Sequence, residues 1–89
     1  MLSLPDTLTQ TQASDCLKSL SDGVQREADA RVVVDAGLLR SFDSSALAVL
    51  LAVRRECARA GKHFAVHALP DRLRALAALY GVEALLPSA

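Results

Sequence analysis

The 89 residues bound the chain at one domain, 1–89, near the lower end of what folds around a single hydrophobic core. Just over half are apolar (52%), yet only Phe42, Phe64 and Tyr80 are aromatic, so Val, Leu and Ala must fill that core, as suits helices close-packed on a sheet. The formal charge of zero argues against the global electrostatic attraction on which non-specific nucleic-acid binding depends, and no nucleic-acid partner is expected.

In chain order, Leu2 to Leu4 read as a brief first strand ahead of Pro5. Thr9 and Gln12 fit a capping box, in which the Thr hydroxyl accepts from the amide three residues on and the Gln side chain reaches back. Ala13, Cys16, Leu17, Leu20 and Val24 follow at i, i+3, i+4, i+7 and i+11, one apolar stripe that predicts a helix over about 10–27. Arg31-Val-Val-Val-Asp35 is a β-branched run without alternation, the pattern of a central strand covered on both faces of a parallel sheet. Asp43 can cap a second helix of about 44–60, whose end Gly61 marks. His63-Phe-Ala-Val-His67 is a short strand. Pro70, favoured as a first helical residue, opens a third helix of about 70–80 with Leu73, Leu76, Ala77 and Tyr80 on one face and Gly81 beyond it. Strand and helix alternate three times, and right-handed crossovers then give an α/β fold: a small, mostly parallel sheet with helices packed against it.

Charge is unevenly spread. Residues 1–39 carry a net −3 and residues 40–74 a net +4, which reads either as solvated helix faces or as a basic surface for an acidic partner. Cys16 and Cys57 lie within apolar helical patterns without close spacing, as small core residues of a reducing compartment do, and no disulfide framework is implied. The longest apolar run, Ala46 to Val53, falls well short of the roughly 18 residues of a membrane span, and no basic leader precedes it. The expected location is cytoplasmic, without direct membrane insertion.

Residues 43–53, Asp-Ser-Ser-Ala-Leu-Ala-Val-Leu-Leu-Ala-Val, are the most informative stretch. A helix packed on a sheet needs an apolar stripe of about 100°, whereas Ala46 to Val53 is apolar all round for two turns. If Ala46, Val49, Leu50, Val53 and Cys57 face the sheet, then Ser44, Leu47, Ala48, Leu51 and Arg55 share the opposite surface, flanked by Arg54 and Arg59. That surplus face is either a protein-binding site or is covered by the first helix or by Leu85 and Leu86. Ser44 places a hydroxyl where free amides and the helix dipole tolerate negative charge; it is either a plain helix starter or a phosphate-bearing position.

Val32-Val-Val-Asp35, a loop, and Phe42-Asp-Ser-Ser-Ala-Leu-Ala-Val-Leu-Leu resemble the STAS domain signature, a strand ending in Asp followed by Asp-Ser/Thr-Ser/Gly-Gly-Leu at the head of a helix. Val66 through Pro87, with its Ala-Leu-Tyr-Gly, is similar to the end of MlaB-like proteins, the small STAS subunits of the bacterial phospholipid-trafficking ABC transporter that maintains outer-membrane lipid asymmetry. The resemblance covers nearly the whole chain. It implies a single SpoIIAA-like STAS domain that binds and stabilises or activates the transporter's ATPase subunit, in a complex with the permease that holds it at the inner membrane. Alternatively it implies an anti-sigma-factor antagonist switched at Ser44, the candidate phosphoacceptor. The resemblance places the family's regulatory hydroxyl at Ser44, and together with the surplus apolar face it makes Asp43, Ser44, Ser45, Leu47, Leu51, Arg54 and Arg55 the expected partner-binding residues, Leu47 and Leu51 as anchors and Arg54 and Arg55 as the rim. Two features depart from the pattern. Ala46 stands where the signature has Gly, and the further N-terminal strand common in STAS domains is missing, which leaves a sheet edge open to pairing with a partner or with a second copy as a homodimer.

No catalytic site, metal or cofactor is expected. His63 and His67, four residues apart on a strand, lie roughly 13 Å from each other at about 3.3 Å per residue, too far to share one ion. The glycines stand singly at turns, so there is no phosphate-cradling loop. Asp35 ends a strand where open α/β sheets bind ligands, but it is expected to order the loop leading to the second helix.

Overall fold

A computed structural model describes residues 1–89. Its elements are β1 (Leu2–Ser3), β2 (Thr7–Leu8), α1 (Gln10–Arg26), β3 (Arg31–Asp35), β4 (Ser41–Phe42), α2 (Ser45–Arg59), β5 (His63–His67), α3 (Asp71–Leu79) and a closing 3-10 turn (Glu83–Leu85). The main sheet has the order β1-β3-β5, all parallel, with β3 in the middle. The capping box starts α1: Gln12 Oε1 accepts the Thr9 N–H at 2.9 Å and the Thr9 hydroxyl at 2.7 Å. Gly61 and Gly81 end α2 and α3 at φ of +70° and +73°, the left-handed region that glycine, having no Cβ, enters without steric cost.

Strand register decides which side chains share a face. Leu2, Val34 and Val66 form one row and Val32 pairs with Phe64, all toward the helices. Leu20 and Val24 of α1, Leu50 and Val53 of α2, and Leu73 and Ala77 of α3 meet them in one cluster of twenty buried residues. Each fully buried Leu or Val there is worth about 1.5–3 kcal/mol, so burial on this one face dominates the fold.

The opposite sheet face corrects an expectation. It carries Arg31, Val33 and Asp35 beside His63, Ala65 and His67, and no helix packs over it: Arg31, His63 and His67 are exposed, and Val33 is half-buried. The unbroken Val32-Val33-Val34 run reads as a doubly covered strand only because Val33 is β-branched; burial here alternates. β1 lies at one edge of the sheet and pairs with β3, whereas the far side of β5 is bordered by Ser88. Tyr80 is the second correction. It is 60% exposed because α3 stops at Leu79 and the chain turns away at Gly81.

A second ladder, β2 with β4, has no forerunner in the sequence reading. Thr7 pairs with Ser41 and Leu8 with Phe42, in parallel, and the Arg40 and Ser41 amides both donate to the Asp6 carbonyl. This ladder sets the segments that lead into α1 and α2 side by side, so the two helices begin at the same level.

Candidate docking surface

The start of α2 is built around Asp43. Its Oδ1 accepts the Ser45 N–H at 2.8 Å, and its Oδ2 accepts the Gln10 N–H of α1 at 3.2 Å. The Ser45 amide, and after it the Ser45 hydroxyl and the Gln10 amide, hold the Asp43 carboxyl below the usual aspartate range. The expected capping role of Asp43 is therefore realised, and it extends to a second helix. Ser44 carries no side-chain hydrogen bond, is exposed, and has helical φ and ψ of −62° and −16°. Ser45 is half-buried. Ala46, at 0% exposed, fills core in place of the glycine of the STAS pattern.

From there an exposed stripe runs up α2 through Ser44, Ala48 and Arg55, with Leu51 and Ala52 half-buried along it. Two expected members do not belong to it. Leu47, only 3% exposed, sits in the core cluster, so it is no surface anchor. The all-apolar run had offered no way to choose between Leu47 and its neighbours. Arg54 lies on the other flank of α2, beside Lys62, His63 and Ala84, while Arg55 borders a shallow groove shared with Ala13, Ser14 and Leu17 of α1. One helix position, about 100°, separates two arginines expected to form one rim. α1 packs along α2 and covers part of the surplus apolar face; Leu51 lies at the margin, packed against the core.

The remaining reactive side chains do not converge. No three His, Cys, Asp or Glu residues are placed to hold a metal ion. His63 and His67 stand opposite Arg31 and Asp35 on the open sheet face, away from Ser44. Burial pushes the Cys16 and Cys57 thiols up, which keeps them protonated and poorly nucleophilic, and neither is in a disulfide. Asp35 Oδ1 accepts the Gly37 N–H at 2.8 Å, so this carboxylate orders the loop after β3.

The parallel β1-β3-β5 sheet, the strand that ends at Asp35 and the Asp43-Ser44-Ser45 helix start agree with a family match. The sequence profile described as Mlab, STAS domain, matches residues 1–87. The chain belongs to the STAS domain family, of the MlaB type. No curated protein matches it. Within this STAS domain the Asp-Ser-Ser segment sits at the exposed N-terminal end of α2, where both the Ser44 hydroxyl and the following stripe face outward. No helix of the STAS domain is long and apolar enough to cross a membrane.

Proposed function

We propose that the chain is a non-catalytic accessory subunit that docks through the Ser44 end of α2 onto the ATPase of a phospholipid-transporting ABC complex maintaining outer-membrane lipid asymmetry. The observation that carries this reading is the MlaB-type match over residues 1–87, joined to an exposed helix start that belongs to no pocket of titratable groups. The surface is Asp43, Ser44, Ala48 and Leu51 with Arg55 at its edge, and Ser45 supports it from below. Small side chains at Ser44 and Ala48 let a partner helix approach closely, and Leu51 offers the apolar contact. Through the ATPase the domain sits at the cytoplasmic side of the inner membrane.

Co-expression with a candidate ATPase and permease tests the proposal. Tandem purification should return all three chains, and Ala48→Glu, a change at an exposed position, should abolish recovery while the isolated variant melts as the parent does. Recovery unaffected by both Ala48→Glu and Ser44→Asp would place the interface elsewhere. The second reading, an anti-sigma-factor antagonist switched by phosphorylation of Ser44, is favoured by the exposed, unbonded Ser44 hydroxyl. A phosphate there would stand next to the Asp43 carboxylate and repel any acidic partner group. Incubation with a cognate kinase and sigma-factor antagonist, followed by mass analysis of the Ser44 peptide, separates the two readings.

A further inference from the structure

We infer that the open face of the main sheet is the contact surface for a second copy of this chain, with β3 of one copy lying antiparallel across β3 of the other. Arg31, Val33 and Asp35 of β3 stand there beside His63, Ala65 and His67 of β5, while the residues between them point to the helices and join the core. The topology leaves this face bare. The strands are added in the single direction β1-β3-β5, so right-handed crossovers set α1 and α2 on the same side. A wholly parallel sheet is ordinarily covered on both faces, and the helices of this chain cover one.

The charges on the face identify a second copy as the occupant. Arg31 is exposed and in no ion pair of the chain, and Asp35 spends Oδ1 on the Gly37 amide while Oδ2 has no partner. They stand at opposite ends of β3, about 13 Å apart, with Val33 midway. A two-fold axis running across the strands, in the plane between two such sheets, therefore brings Arg31 of each copy over Asp35 of the other and Val33 onto Val33, a self-complementary contact. An axis along the strands would instead set Arg31 over Arg31. Glu27 and Asp29, whose carboxylates accept the Asp29 and Arg31 amides, make an acidic rim at the Arg31 end. The antiparallel arrangement carries that rim toward the His67 end of the other copy and away from its own equivalent.

With strands about 4.8 Å apart and about 3.3 Å per residue, the face measures roughly 15 by 17 Å, at the low end of specific interfaces. The dimer is accordingly a weak one. The helices, and with them the Ser44 end of α2, lie on the other side of the sheet, so a copy stacked here leaves the docking stripe free and the inference does not depend on the proposed partner.

Sedimentation equilibrium of the whole chain from about 10 μM to about 1 mM tests this, and the average mass should rise from one chain toward two over that range. Arg31→Asp and Asp35→Arg each set like charges against one another and should each weaken association at least about tenfold. Lys18→Asp, at an exposed position of α1, should leave it unchanged. An equimolar mixture of Arg31→Asp with Asp35→Arg should associate again, because each variant offers the charge that the other lacks. Asp35→Arg also gives up the Gly37 bond; if its melt shows it unfolded, Val33→Lys, which sets two ammonium groups together at the two-fold axis, takes its place and should abolish the dimer. A single-chain mass at every concentration overturns the inference, as does a dimer that survives Arg31→Asp and Val33→Lys in variants melting as the parent does. Failure of the mixture to associate, with both variants folded, overturns it as well.

Discussion

The Asp43 carboxylate accepts the backbone N–H of Gln10 across 33 residues of sequence, at 3.2 Å, while its other oxygen holds Ser45 at 2.8 Å. One side chain thus caps two helices, and it can do so because the β2–β4 ladder ends at Leu8 paired with Phe42, one residue before Thr9 and Asp43. The conformation of the proposed docking end is in this way tied to the start of α1.

Asp43→Asn should flatten the acid side of the stability profile. The folded pKa of Asp43 lies below its ordinary value of about 3.9, so its contribution is present above that value and is lost as pH falls through the folded pKa. Thermal melts across this range should show the parent more stable at neutral pH and the two proteins converging in acid. Parallel profiles would mean that the carboxylate charge does not matter to the double cap.

Leu47→Ala should cost about 2–5 kcal/mol in urea unfolding, the range for a large-to-small change in a packed core, because Leu47 is almost wholly enclosed. Leu51→Ala, at a half-buried position, should cost clearly less. The reverse order would return Leu47 to the surface and Leu51 to the core.

Lys62→Met should destabilise the domain by about 1.5–3 kcal/mol. It keeps the aliphatic stem but removes an ammonium that bonds the Val24 and Glu27 carbonyls and complements the α1 dipole. Equilibrium unfolding measures the loss, and amide exchange in the last turn of α1 localises it. An unchanged midpoint would show that solvent replaces the lysine without penalty.

Gly23 lies against Leu2. A Cβ at this helical position would come within 2.6 Å of Leu2 Cδ2, so the roughly 1 kcal/mol that alanine normally adds to a helix is opposed by displacement of the first strand. Gly23→Ala should therefore give little net change alone and recover about 0.5–1 kcal/mol in a Leu2→Ala background. A double-mutant cycle checks this, and an identical gain in both backgrounds would show that Leu2 moves aside freely.

Much of the fold was legible because its signals are local. The α1 stripe, the Thr9–Gln12 box, the strand around Val32 to Val34 and the glycines at 61 and 81 each announce themselves within a few residues. What escaped notice depends on three-dimensional partners. β2 and β4 are two residues each, too short for any periodicity, and are recognisable only through their pairing with one another. In α2, eight consecutive apolar residues carry no phase, so only packing against α1 and the core could separate buried Leu47 from exposed Ala48. The Asp43-Ser44-Ser45 helix start was visible as a motif, whereas the separation of Arg54 from Arg55 required knowing what stands on each side of the helix.

The position of β3 between two parallel neighbours has a dynamic consequence. Its pairing with β5 runs over five residues from Arg31 to Asp35, whereas β1 is held by two, Leu2 and Ser3. Opening should begin at β1, whose detachment exposes little of the core and leaves the β3–β5 pair intact, and amides in the middle of β3 should exchange only through global unfolding. Every strand pairing spans an intervening helix, so these contacts are non-local in sequence and close late, with β1 the last to join and the first to leave.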